Sequence, residues 1–399
     1  MAVKKYEKYY DLANKASFEN WESIRMSKMC GCYFCKRIFP ANEIREWISD
    51  KHGGTAICPY CDIDSVIGDA SGIPIQEDVL EELYVAQFEA SNMPEVRIVG
   101  SGNYNLDTIV VREYPEGPAA RKFTEKVAIE EVGGTCGNVM CLLAGFGFEA
   151  YPQASLDDSP EGLKIKDDLD RYGCDTRFVT NTPDGGTTLL RVTHKLNPDG
   201  SRKIGVRAGS PGGSRFPKRK FLRVRDQAPA FVETLTAEFI PEWYFFDSPA
   251  AGHRYIARAL REKGTMVYFE PSAVSTNADL ECVALSDIIK FSNENVPDAS
   301  FADSSFKDKL FVQTMGKDGL RYKLRDGEWK TIPPVPVDKI LDTEGAGDWT
   351  TATIIRHFCR FGFRVESIGE EDLADLLNDA QKAAAEKVTR LGTKFPMTD

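Results

Sequence analysis

From Asp342 to Phe358 the chain reads DTEGAGDWTTATIIRHF, two acids and two glycines set directly before an apolar run. Glycine inside a helix costs about 1 kcal/mol relative to alanine, so Gly345 and Gly347 belong at the helix entrance. A Gly-Ala-Gly backbone lets a ligand come close, and its N–H groups with the helix dipole favour negative charge, phosphate first. Asp348 then stands in the first turn, facing whatever the amides hold. A carboxylate beside an anion is unfavourable unless it accepts the proton of a hydroxyl attacking a phosphoryl group, which makes Asp348 a candidate base. The plainer alternative is a capping carboxylate behind a glycine turn.

Upstream, from Glu95 onward, short β-rich runs alternate with helical stretches: VRIVGSG, AIEEVGG, NVMCLLAGFG, WYFFDS, HRYIARALREKG, MVYFEPS, DIIKFSN and LFVQTMG. This alternation predicts a doubly wound α/β domain with a mostly parallel sheet and a ligand site beyond the carboxyl ends of its strands. PVDKIL, just before the glycine loop, reads as a further strand. LDTIVVREYP with KFTEKVAIEEV, and TTLLRVTHKLNPDGSRKIGVR with its Asp199-Gly200 turn, predict antiparallel hairpins that form a small β lid. Thr314, Gly316 and Gly319 (TMGKDG) supply a second phosphate-side loop. Gly134 and Asn138 precede and enter an apolar helix, with Asn138 suited to a polyol. Asp107 ends a strand-like segment, where it would take two hydroxyls.

This ordered set, GNYNLD, GGTCGN, DDSPEG, SDIIKFSNEN, TMGKDG, DTEGAGD and AAAEKVTRLG, resembles the ribokinase-like (PfkB) carbohydrate kinases over about residues 95–399. The resemblance implies a domain over 94–399 that binds ATP with Mg²⁺ and phosphorylates a hydroxyl, in particular a hydroxymethyl, of a sugar or related polyol. By position it implies Asp107, Gly134 and Asn138 on the substrate, Asp348 as base, and Gly345, Ala346 and Gly347 as the anion hole. Asn293, Thr314, Gly316 and Gly319 would line the nucleotide. It also implies a homodimer through the lid. Three departures stand out. Asn293-Glu294-Asn295-Val296 carries valine where the family's Asn-x-x-Glu places a carboxylate that handles Mg²⁺. Cys136 and Gly137 lie in the substrate loop, and Thr353 replaces a smaller residue. A zinc-stabilised regulatory or interaction protein, with a kinase-like domain that binds a ligand without turnover, is the alternative.

Residues 1–93 form a separate module. Cys32-x2-Cys35 and Cys58-x2-Cys61 enclose a loop of 22 residues, the spacing that places four thiolates around Zn²⁺. Four protein ligands leave no open position, so the metal is read as structural. Cys30 and His52 are spare candidates, Gly31, Gly53 and Gly54 supply turns, and ANEIREWI (Ala41–Ile48) reads as a short helix. The stretch resembles small bacterial zinc-knuckle proteins over about residues 26–90. IQEDVLEELYVAQFE (Ile75–Glu89) reads as a helix with Val79, Leu83 and Phe88 near one face, and Ser91, Asn92 and Pro94 break the pattern at the domain boundary.

A net charge of −11 argues against coating nucleic acid or an anionic membrane. In residues 1–95 alone, 10 basic face 16 acidic residues, the wrong sign for a phosphate-reading finger. The N-terminal 26 residues read as an amphipathic helix without a signal-peptide core, no run reaches the roughly 20 apolar residues of a membrane span, and the clustered cysteines favour a reducing compartment, so a cytoplasmic protein is expected. RFPKRKFLRVR (Arg215–Arg225) holds six cations and no acid. It reads as a solvated loop, or as a greeting for an already phosphorylated or carboxylated substrate. His194 and His357 are read as structural. A nicotinamide-binding reading from Gly100 and Gly102 fails because Asn105 occupies the third glycine position and no helix follows.

Overall fold

The computed structural model describes residues 6–48, 54–85, 95–113, 124–196, 202–304 and 306–395. His52, Gly53, Phe88, the break at Ser91 to Pro94 and the Asp199-Gly200 turn lie outside them. The chain divides into two compact units, one over 95–396 and one over 2–94.

In the larger unit, nine strands make one sheet. Seven pair in parallel, in the order Val179–Asn181, Glu149–Leu156, Arg97–Ser101, Trp243–Phe246, Met266–Phe269, Ile288–Ser292 and Leu310–Thr314. Leu320–Leu324 and Lys330–Ile332 then add antiparallel at one edge. The central strands Trp243–Phe246 and Met266–Phe269 are buried at every position, as parallel strands covered on both faces must be. Tyr244, Phe246, Phe269, Phe291 and Phe311 fill one side of the sheet.

A second sheet of four strands forms the lid. Asn105–Glu113 pairs antiparallel with Thr124–Gly133, and Thr188–Leu196 with Arg202–Gly209. The two pairs join through a parallel match of Thr188–Leu196 onto Asn105–Glu113. Asp107 therefore lies near the start of a lid strand, not at a strand end. PVDKIL is not a strand. Residues 333–341 run as irregular chain, where Pro334 and Pro336 remove ladder donors.

The smaller unit has a three-stranded antiparallel sheet with Met29–Cys32 in the middle, flanked by Ile38–Pro40 and Val66–Gly68. Gly31 is no turn residue here. It sits mid-strand, where a Cβ would lie 2.8 Å from Leu80 Cδ1 of the helix Glu77–Tyr84. The expected helix at Ala41–Ile48 is a single 3₁₀ turn, Ala41–Glu43, followed by the two-residue strand Trp47–Ile48. The N-terminal segment gives two helices, Tyr10–Ser17 and Trp21–Met26, because Glu19 adopts a positive φ of 46° between them. Among the described residues no helix is long and apolar enough to cross a membrane.

Candidate active site

The site is built on the helix Ala346–Phe361, whose N-cap Gly345 has φ 81°. That left-handed conformation disfavours any L side chain, and a Cβ there would also lie 2.3 Å from Thr393 Oγ1. At Gly347 a Cβ would stand 3.0 Å from Lys290 Nζ. Glycine is thus fixed at Gly345 by space as well as by backbone, while Gly347 is helical and crowded only by the tip of the Lys290 side chain. Gly345→Ala is expected to destabilise the domain by about 1–2 kcal/mol for the left-handed backbone alone, more with the Thr393 clash, read as a lower midpoint in urea. First-turn N–H groups have no intrahelical acceptor and point outward. The Ala346 amide is turned back, with a long 3.3 Å bond to Thr343 O.

Asp348 sits in that first turn and is 8% exposed. Its Oδ2 accepts from Asn138 Nδ2 at 2.6 Å, and Asn138 Oδ1 accepts from Lys394 Nζ at 2.7 Å. The Asp348 carboxyl is pushed up to about 7, first by burial and then by the Glu270 carboxylate, against the opposing pull of Lys290, Asn138 and Lys394. Glu270, just past the strand Met266–Phe269, forms an ion pair with Lys290 and accepts from Thr351 Oγ1 at 2.6 Å. Lys290 Nζ also donates to Gly347 O at 2.9 Å, tying the glycine loop to the strand Ile288–Ser292. Asp342, fully buried, anchors the start of the loop. Lys387 Nζ lies 3.3 Å from its carboxylate and Gly392 N donates to it at 3.1 Å, with His194 Nε2 at 3.6 Å.

Asp107 and Gly134 lie on the lid side. The Asp107 carboxylate rests on Gly133, where a Cβ would come within 1.8 Å of it. Burial lifts its carboxyl to about 6, with Lys394 pulling down and Glu131 and Glu344 pushing up. Gly134, with φ 79°, caps the helix Thr135–Gly145 and approaches Asn103 so closely that a Cβ would lie 2.4 Å from Asn103 O. Asp247, at the end of Trp243–Phe246, accepts from Asn103 N at 3.0 Å and from Cys136 N at 3.1 Å, and burial lifts it to about 6. Buried side-chain oxygens of Asn103, Asn105 and Asp107 have no hydrogen-bond partner.

Asn138, Asp348 and the glycine loop are therefore joined by direct contacts. Asn293 and Thr314 meet one strand over, where Asn293 N donates to Thr314 O at 2.9 Å. Gly316 and Gly319 follow in a 3₁₀ turn with φ of 56° and 87°. Val296 turns into the core, 4% exposed, and offers nothing to the cleft. Glu294, two residues earlier, is exposed; the Glu344 carboxyl beside the glycine loop is pushed up first by burial, then by Asp342, with Glu294 adding to it against the pull of Lys387. Sequence reading missed Asp247, Glu270, Lys290 and Lys394. The one usable signal was an acid ending a buried parallel strand, as in WYFFDS and MVYFEPS.

In the smaller unit, Cys32, Cys35, Cys58 and Cys61 place their sulfurs within 4.8 Å of one another. The Cys32–Cys61 and Cys35–Cys58 sulfur pairs are both 3.7 Å apart. Zn–S bonds of about 2.3 Å in a tetrahedron need about 3.8 Å between sulfurs, so the set fits Zn²⁺. Each knuckle closes alike: Lys36 N donates to Cys32 O and Asp62 N to Cys58 O, with Lys36 and Asp62 at φ 62° and 60°. Elemental analysis is expected to find about one zinc per chain, and Cys58→Ser to lose it and melt this unit.

The doubly wound sheet with its β lid, and a glycine-flanked helix entrance holding a carboxylate against strand ends, define a ribokinase-like α/β fold. Residues 248–399 match the pfkB family carbohydrate kinase, so the chain carries a PfkB carbohydrate kinase domain there. A curated relative, "ATP-dependent ribose-1-phosphate kinase" of Halopiger xanaduensis, is 27% identical over 268 residues, covering 65% of this chain and 84% of its own. Among solved structures, Arabidopsis thaliana ribokinase complexed with ribose and ATP aligns at TM-score 0.51 and 18% identity, over 75% of this chain and 94% of that one. Fructokinase with bound ATP from Xylella fastidiosa aligns at 0.55 and 17%, over 75% and 94%.

Proposed function

We propose that the protein is an ATP-dependent phosphotransferase acting on a hydroxyl, in particular a hydroxymethyl, of a sugar or related polyol. The observation that carries this reading is the Asp348 carboxyl. It is held near neutrality by burial and by Glu270, beside Asn138 and in the first turn of a glycine-flanked helix. Asp107, Gly134 and Asn138 hold the acceptor, with the partnerless oxygens of Asn103 and Asp107 taking its other hydroxyls. Asp348 removes the acceptor proton as the oxygen bonds the γ-phosphorus. The bond from that phosphorus to the bridging oxygen breaks, and ADP leaves. Amides of Gly345, Ala346 and Gly347 stabilise the transferring phosphoryl group, the Ala346 N–H after release from Thr343. Asn293, Thr314, Gly316 and Gly319 line the nucleotide.

Mg²⁺ would be held largely by the nucleotide phosphates and waters. Among the described residues the only cluster of three or more metal-type ligands is the cysteine set. The crowding of Glu344 by Asp342 and Glu294 suits a nearby dication, with Glu294 serving where Val296 cannot. Mg²⁺ supplies charge neutralisation on the phosphates. The relative's name puts phosphorylated sugars, alongside free ones, among the acceptors. Zn²⁺ on the four cysteines is structural in this reading.

ADP release against pentoses, hexoses, their phosphates, keto-deoxy acids and nucleosides tests it, with Asp348→Asn as control. Turnover on none of them, with ATP still bound, would favour a zinc-stabilised binding protein instead.

A further inference from the structure

The cationic run Arg215–Arg225 does not float free. Thr188 Oγ1, at the start of a lid strand, donates to Lys218 O at 3.3 Å. At Gly186 a Cβ would lie 2.8 Å from Lys218 O and 3.0 Å from Lys220 N, so only glycine lets the two backbones touch. Phe221 packs its ring 4.7 Å from that of buried His253, and Leu222 packs on the main core. A Cβ at Gly252 would fall 2.1 Å from Leu222 O, a third close approach that fixes the segment. Its backbone is pinned while its charges stay outside.

Those charges are concentrated. Lys218, Arg219 and Lys220 are exposed and have no ion-pair partner among the described residues, whereas Arg223 pairs with Asp226. The carboxylate that feels Lys218 is Asp157, whose Oδ1 already accepts from Ser159 and Thr187. Holding three cations together in a chain of net charge −11 has an electrostatic cost that a bound anion removes.

Their place decides what the anion belongs to. Lys218, Arg219 and Lys220 line a pocket with Asn103, Ser155 and Thr188, at the carboxyl ends of the strands Arg97–Ser101 and Glu149–Leu156. Asn103 is shared with the acceptor cleft, through Gly134 and the Asp247 carboxylate. The pocket therefore continues the acceptor cleft on the side away from the nucleotide loops.

We propose that Lys218, Arg219 and Lys220 bind a phosphate already carried by the sugar, at its end remote from the hydroxyl that Asp348 deprotonates. The orientation rests on the kinase reading; the phosphate site does not. Charge-assisted contacts from lysine to phosphate are worth enough to set the acceptor class, on the order of 10-fold to 100-fold in affinity for two of them.

Isothermal titration of the full chain with ribose against ribose 5-phosphate, ribose 1-phosphate, and fructose against fructose 6-phosphate tests the site without turnover. At least one phosphorylated sugar should bind 10-fold or more tighter than its neutral counterpart. Lys218→Ala/Lys220→Ala should erase that preference while leaving the melting temperature and ATP binding unchanged, since both side chains are exposed. No preference in any pair, or a preference that survives the double substitution, overturns the proposal. ADP release on the same samples separates the two readings. Turnover of neutral sugars without preference removes the phosphate site and keeps the kinase, whereas phosphate-selective, Lys-dependent binding without ADP release keeps the site and removes the kinase.

Discussion

Asp348→Asn should lower kcat by about 10²- to 10⁴-fold, the usual contribution of a positioned base, with little change in ATP affinity. The same substitution should raise the melting temperature at pH 8. Burial and the Glu270 charge lift the Asp348 carboxyl from its ordinary value of 3.8 to about 7 in the folded protein. Between about pH 4 and pH 7 the folded chain holds a proton that the unfolded chain has released, so this group's contribution to stability declines as pH rises through that window. Above it, the buried carboxylate is a net cost that asparagine removes while still accepting from Asn138. The wild-type pH profile follows with the opposite sign for activity: kcat falls as pH drops through about 7 and the base takes up its proton. An acid limb near pH 4, or an unchanged melting temperature in the variant at pH 8, would count against this electrostatic account.

The glycine loop and the helix behind it were legible because backbone demands leave a local mark. Two glycines before an apolar run can be read from DTEGAGDW alone, and so can two pairs of cysteines at knuckle spacing. Asn138 was legible for the same reason, one turn into an apolar helix after two glycines. Asp247, Glu270, Lys290 and Lys394 were not, since each is a single charged residue in or after a hydrophobic strand or near the C-terminus. Only the tertiary fold brings residues 270 and 290, on neighbouring strands, and residue 394, from the segment after the last helix, to the neighbourhood of 348. PVDKIL reads as a strand from the alternation of elements, whereas Pro333, Pro334 and Pro336 keep residues 333–341 irregular. The basic run reads as a solvated loop, or as a greeting for a charged substrate, from its charge and the neighbouring glycines and prolines alone. Its anchors are Phe221 and Leu222, two apolar side chains whose partners lie far along the sequence.

Lys290→Met should be the most destabilising single change in the site. The Lys290 side chain is 2% exposed and that of Glu270 is 14% exposed, so removing the cation strands a carboxylate in the interior. Breaking such a pair from one side typically costs about 3–5 kcal/mol, whereas removing both charges costs much less. Lys290→Met/Glu270→Gln should therefore recover most of the stability lost in Lys290→Met, measured by urea unfolding. The two partners also act on Asp348 in opposite directions, Lys290 lowering its pKa and Glu270 raising it. Lys290→Met should accordingly move the acid limb of kcat to higher pH and Glu270→Gln should move it lower, a split that a purely structural pair would not produce. Lys290 further holds the Gly347 carbonyl, so its loss frees the loop whose amides would stabilise the phosphoryl group in the proposed reaction. Lys290→Met should then lower kcat even above the shifted limb. Limbs that coincide in both single variants would mean that the pair supports the loop without setting the charge state of Asp348.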